Sequence, residues 1–234
     1  MNYSSLTCAI LKKRYKRFLA DVVLEDGSEI TVHCANTGAM TGLATPGARI
    51  WLSHSDNPKR KLAWSWELTE VHADGALAFA SVNTARANVV VKEALLAGRI
   101  TPLEVYESVK PEVRVGSERL DFLLRQPGYP DAYVEVKQVT LLDRHGRGYF
   151  PDAVSTRGLR HLEALIALAQ AGHRAVLLFC VPHTGIDYVS VASHIDAAYA
   201  EGFERARAAG VEVLAYGATV TPAAMSLEHA LPII

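Results

Sequence analysis

The sequence predicts a two-domain α/β protein: an OB-fold-like β-barrel over residues 1–82, then an α/β domain over residues 83–234. Three observations lead there. The first part offers short runs rich in β-branched and aromatic residues, punctuated by tight-turn signals. At Asn83-Thr84-Ala85-Arg86-Ala87 the pattern breaks into a polar connector. Beyond it, apolar strands alternate with amphipathic helices, as in a layered domain with at least one parallel strand pair.

Composition fits an ordinary globular protein. Of 234 residues, 50% are apolar and 21% charged, and the formal net charge is -1. No global basic field advertises nucleic acid, so affinity for phosphates would have to come from local patches. The longest strongly apolar run, Ala175 to Val181, is far short of the ~20 residues of a membrane-spanning helix. The N-terminus lacks a signal-peptide core. The expectation is a soluble, cytoplasmic protein without a membrane partner. Cys8, Cys34 and Cys180 are widely spaced among apolar residues and read as buried thiols. The scattered histidines give no zinc spacing.

In the first domain the candidate strands are Leu6 to Ile10, Phe18 to Leu24, Glu29 to His33, Arg49 to Ser53, Leu62 to Thr69 and Leu77 to Ala80. Asp26-Gly27 and Asp74-Gly75 mark tight turns. This spacing suits a small barrel of the OB type, with a small sandwich as the alternative. Arg14, among other basic residues around Tyr15, and Lys59, Arg60 and Lys61 ahead of Trp64 and Trp66 interleave charge with aromatic rings. Such a pattern suits a groove that tracks phosphates and stacks bases, or equally a solvated hairpin and loop. The tryptophans fit core or interdomain packing better. Asn36 to Gly42 is a glycine-bearing loop without the ending of a P-loop. It fits a loop beside a nucleic-acid surface or a plain structural loop.

In the second domain, Asn88 is placed as the N-cap of a helix over Val89 to Ala97, stopped at Gly98. Its apolar residues lie nearly all round, so Glu93 either reaches solvent at an edge or serves an internal polar site. Leu120 to Leu124 and Tyr133 to Val139 read as a hairpin turned at Pro127 to Asp131. Symmetry about Gly128 sets Asp121 opposite Glu135, with Lys137 on the same face as Glu135. Facing carboxylates repel. A divalent cation between them, with Lys137 beside, would make a candidate for phosphodiester chemistry. The competing reading is a solvent-facing Glu-Val-Lys strand with Asp121 salt-bridged to Arg119 or Lys137.

Leu141 to Pro151 reads as a polar loop able to cover substrate. Ser155 to Ala171 is the clearest helix. Arg157 and His161, four apart, share one stripe of it and either border the carboxylates or form an exposed face. Arg174 to Val181 reads as a buried central strand, Ile195 to Ala209 as a second helix, and Val211 to Tyr216 as a further strand. The tail through Leu227 and Leu231 is expected to pack back.

A helix, a hairpin bearing Asp…Glu-x-Lys, and strand–helix–strand together resemble the PD-(D/E)XK nuclease-like core. The resemblance implies Mg²⁺ or Mn²⁺ held by Asp121 and Glu135 with the Val136 backbone carbonyl, Glu93 as an outer ligand, and Lys137 orienting the attacking water. Asp121 is not preceded by the proline of that motif. Over nearly the whole chain, Ala35-Asn36-Thr37-Gly38-Ala39-Met40, Ser55 to Leu62, Val134-Glu135-Val136-Lys137 and Phe150-Pro151-Asp152-Ala153-Val154 with Thr156-Arg157-Gly158 resemble the sugar fermentation stimulation protein family. Ala39 departs from an expected arginine and Gln138 from an expected serine. The resemblance implies an OB-like domain joined to a nuclease-like domain, with DNA as partner and RNA as its alternative. Arg14, Lys59, Arg60, Lys61, Arg157 and His161 are the candidate nucleic-acid contacts. Self-association is left open. The function expected is a metal-dependent nuclease, or a non-catalytic DNA-binding regulator on the same scaffold. No sugar-site signature accompanies the family's name.

Overall fold

The computed structural model describes residues 1–234. Six strands open the chain: β1 (Leu6–Tyr15), β2 (Leu19–Leu24), β3 (Glu29–Cys34), β4 (Arg49–His54), β5 (Trp64–Ala73) and β6 (Ala76–Ser81). They run in the order β3-β2-β1-β4-β5-β6, and a parallel pairing of β3 with β5 closes five of them into a barrel. Alternation along the strands fills it with Leu11, Val22, Val32, Ile50, Leu52 and Trp66, all buried. Trp66 is core, as expected, and Trp64 packs beside it. β1 continues beyond Ile10 because its pairing with β2 survives a bulge between Leu11 and Lys13. The first basic cluster therefore lies on a strand end and its turn.

The second domain follows with α1 (Ala85–Leu96), β7 (Ser108–Val115), β8 (Glu118–Arg125), β9 (Ala132–Gln138), β10 (Leu141–Leu142), β11 (Arg147–Phe150), α2 (Thr156–Gln170), β12 (Arg174–Val181), β13 (Tyr188–Val191), α3 (Ala197–Ala208), β14 (Glu212–Val220) and β15 (Met225–Ala230). The main sheet runs β15-β14-β12-β9-β8-β7. β9, β12 and β14 are parallel and buried in the centre, while the outer pairings are antiparallel. Helix, three-strand meander, helix and parallel strand follow one another in the order expected for the second domain.

Side-chain alternation on β12 assigns the two layers. Val176, Leu178 and Cys180 face α1, where Val90, Val91, Ala94 and Leu95 cover them. Ala175, Leu177, Phe179 and Val181 face α2 and α3, against Leu162, Leu165, Tyr199 and Phe203. Leu227 is fully buried, so the tail does pack back.

Two local expectations are corrected, and two strands are added. α1 starts at Ala85, so Asn88 is no cap and sits inside the helix. Leu141 to Pro151 is ordered: β10, a short turn and β11 join β13 in a small sheet of their own. β7 and β15 are strands that the sequence pattern does not mark; both are sheet edges, β7 with mostly exposed side chains and β15 with only Met225 and Leu227 buried, so neither shows a long apolar alternation. No helix is long and apolar enough to cross a membrane.

The two domains are riveted together. Glu67 of β5 is fully buried and accepts two hydrogen bonds from Arg86 of α1, at 2.9 and 2.7 Å. Ser53 and Asn83 donate to the same carboxylate at 2.7 and 3.0 Å. These bonds hold its carboxyl below the ordinary range against the opposing effect of burial, the largest single influence on it.

Candidate nuclease-type active site

A cleft of about 420 Å³ opens where the barrel loop at Asn36 to Gly38 meets the ends of β8, β9 and α2. Its floor is set by the β8–β9 hairpin. That ladder is symmetric about Gly128, as expected, and its last paired step is Phe122 with Val134. One residue further Asp121 turns away, and its Oδ2 accepts the Val136 N–H at 2.8 Å. Its Oδ1 accepts from the Asn88 side-chain amide at 2.6 Å.

Glu135 points to the α2 side and is almost wholly buried. Lys137 Nζ donates to its Oε1 at 2.7 Å, and His161 Nδ1 meets the same oxygen. Its Oε2 is buried with no hydrogen-bond partner. Behind His161, Nε2 lies 3.3 Å from Arg157 Nε and 3.5 Å from a Glu118 carboxylate oxygen. The histidine is thereby held in one orientation.

The two carboxylates are driven apart electrostatically. Burial, and then the charge of Glu135, push the Asp121 carboxyl above its usual range. Burial also works against ionised Glu135, but His161 and Lys137 outweigh it and hold that carboxyl low. The two carboxyls are shifted in opposite directions, a pattern typical of functional sites.

The structure therefore brings Asp121, Glu135, Val136, Lys137, Arg157 and His161 to one cleft. It separates others. Glu93 does not line this cleft: its carboxylate pairs with the terminal amine of Met1, it shares only a neighbouring groove with Asp121, and Asn88 is the α1 residue that reaches Asp121. Arg14 is corrected. A single nitrogen, Nη2, donates to the backbone carbonyls of Arg17, Asn36 and Gly38 at 2.8 to 2.9 Å, while Nε is buried without a partner, so the side chain builds the loop and does not line the cleft. Lys59, Arg60 and Lys61 are exposed on the barrel and absent from the cleft lining, and Arg60 donates to Ser65 at 2.7 Å.

Sequence reasoning missed four contributors. Asn88 was given to a cap. Gln138 ends β9 with its Nε2 on the Ser81 carbonyl at 2.8 Å and its Oε1 buried and unpartnered. Asp152 crosses from the second domain to accept the Ala39 N–H at 3.0 Å, and Asn36 accepts the Gly38 N–H at 2.8 Å. A Cβ at Gly38 would strike the Asp152 carboxylate and force it to shift from this contact. The strings around Gly38 and Asp152 carried the whole-chain resemblance, yet nothing local in them signals a contact 113 residues apart.

Comparisons agree with this architecture. Residues 13–79 match the family model described as the SfsA N-terminal OB domain, and residues 85–224 match that of the sugar fermentation stimulation protein RE domain. A sugar fermentation stimulation protein homolog of Chromohalobacter salexigens is 54% identical, over 100% of this chain and 94% of that protein. A homolog from Pseudoalteromonas atlantica is 52% identical, over 99% and 98%. Among solved structures, Pyrococcus furiosus SfsA in complex with Ca²⁺ superposes with a TM-score of 0.88 at 24% identity, over 100% of this chain and 98% of that one. The chain belongs to the sugar fermentation stimulation protein family.

Proposed function

We propose that this protein is a divalent-metal-dependent nuclease that hydrolyses phosphodiester bonds of DNA. The observation that carries the reading is Glu135: a buried carboxylate with one oxygen unpartnered, beside an Asp121 whose ionised form is disfavoured by burial and then by Glu135. A hard cation with oxygen ligands relieves both conditions, and Mg²⁺ or Mn²⁺ suits such donors. No cluster of three or more His, Cys, Asp or Glu side chains forms, so the carboxylate pair would be completed by the Val136 carbonyl, water or substrate oxygens. The archaeal relative in complex with Ca²⁺ is consistent with an oxygen-ligand site.

When bound, such an ion supplies a more acidic water and stabilises charge on the phosphate oxygens. The chain's own groups do the rest. Lys137 sits against Glu135 at the cleft, where its ammonium offsets phosphate charge and orients the nucleophile. Arg157, exposed above His161, offers a guanidinium to a phosphate oxygen. The barrel loop forms the opposite wall.

The test is incubation with plasmid and single-stranded DNA in Mg²⁺ or Mn²⁺, beside Asp121→Asn and Lys137→Ala. Cleavage by the wild type that disappears in both variants supports the nuclease. Salt-sensitive binding without cleavage in either metal points instead to a DNA-binding regulator on a nuclease scaffold.

A further inference from the structure

We propose that the outer face of the small β10–β11–β13 sheet is a stacking platform for a single-stranded nucleic acid, leading into the cleft at Tyr149. This rests on reading the cleft as a phosphodiester site, since it names the substrate form that the site receives.

The parallel register of β11 and β13 sets Arg147 beside Tyr188 and Tyr149 beside Ser190. Alternation then gives the sheet two unlike faces. Gly148 and Phe150 point inward: a Cβ on Gly148 would strike Ile186, and Phe150 packs on Phe179 and Tyr199. Arg147, Tyr149 and Tyr188 point outward and remain partly exposed.

The outward side chains form a row. The Arg147 guanidinium lies 5.8 Å from the Tyr149 ring centre and 5.5 Å from that of Tyr188. Its Nη1 and Nε donate to the two tyrosine hydroxyls at 3.0 and 3.3 Å, which locks the arrangement and leaves Nη2 for a phosphate. Exposed His194 meets Tyr149 edge-on, with ring centres 4.9 Å apart. Arginine and aromatic rings alternating on a partly exposed sheet are what tracks a single strand, with bases stacking on rings and phosphates pairing with the cation.

Continuity fixes where the strand goes. Tyr149 and Leu141 line the same cleft as Asp121, Glu135 and Lys137. A base held at Tyr149 therefore has its phosphate next to the carboxylates. At the other end, exposed Asp143 and Asp187 flank the start of β11 and would repel a backbone, so they bound the platform. A duplex is disfavoured because its base faces are already stacked on each other, and only unpaired bases offer a free π-face.

Binding is measured by fluorescence anisotropy in EDTA, so that cleavage plays no part. The probes are a fluorescein-labelled oligothymidylate, the matching oligouridylate, and a hairpin duplex of equal length. The wild type is expected to hold a single strand more tightly than the duplex. Tyr149→Leu and Tyr188→Leu should each weaken it by about five-fold or more, the loss of one stacked base. Tyr188→Phe, which keeps the ring and gives up only the hydroxyl that Arg147 bonds, should lose less affinity than Tyr188→Leu. The tighter of the two strands tells deoxyribose from ribose. A duplex bound as tightly as either strand, or Leu variants that bind like the wild type, would overturn the platform. Cleavage in Mg²⁺ is scored separately. Single-strand binding lost in the Leu variants of a protein that cleaves nothing would sink the nuclease and keep the platform. Cleavage that depends on Asp121 with normal binding by the Leu variants would do the reverse.

Discussion

His161 of α2 and Lys137 of β9 converge on one oxygen of Glu135, so the glutamate's orientation is set by a residue from another element. Removing the imidazole leaves a buried carboxylate with a single partner. His161→Ala should weaken divalent-ion affinity by roughly 10- to 100-fold, the usual effect of losing a partner that orients a ligand. His161→Gln, able to donate to the same oxygen, should recover part of it. Isothermal titration with Mn²⁺ reads the difference, and equal affinity in all three proteins would remove His161 from the site.

Asp121 and Glu135 should also report metal through stability. An ion that binds only the folded protein at 100 times its dissociation constant adds about 2.7 kcal/mol. For a chain of this length that raises the melting temperature by several degrees. The wild type should show this shift with Mg²⁺ or Mn²⁺, and Asp121→Asn should not. A shift that persists in the variant places the ion elsewhere.

How far the sequence disclosed this site depends on the range of each contact. The hairpin was legible because strand alternation and a Pro-Gly turn fix register locally, and Phe122 does pair with Val134 about Gly128. The Arg157–His161 stripe was legible because helical spacing is local too. What joins the elements was not. Whether that stripe met the carboxylates, whether Asn88 capped a helix or reached Asp121, and whether Arg14 faced solvent or the Asn36 carbonyl all depend on tertiary placement. Glu93 misled for the same reason: a lone charge on an apolar helix has two outcomes, and here the amine of Met1 took it.

The Glu67–Arg86 pair should govern stability across the domain junction. Arg86→Ala leaves an unpaired charge at a fully buried carboxylate and should cost about 3 kcal/mol, the low end for such a break because Arg86 is partly exposed. Glu67 titrates below its ordinary value in the folded protein. Its contribution is therefore complete above the unfolded carboxyl's range and is lost as the pH falls through the folded one. Urea unfolding at neutral pH and at a pH below the ordinary carboxyl range should show the Arg86→Ala deficit shrinking in acid. A deficit that stays constant would count against the pair.

The barrel's basic residues separate by what they already touch. Lys59 and Lys61 are exposed and make no ion pair within the chain, so if they meet a DNA backbone each should contribute about 0.9 to the slope of log affinity against log salt. Replacing both with alanine should flatten that slope by about 1.8 without changing the fold. Arg14 should behave differently. Its Nη2 holds the carbonyls of Asn36 and Gly38, so Arg14→Ala would loosen the wall of the cleft and leave the salt slope unchanged. Limited proteolysis near residues 36–42, together with binding across a salt series, distinguishes the two roles. A reduced slope in Arg14→Ala with an intact loop would return that arginine to the nucleic-acid surface.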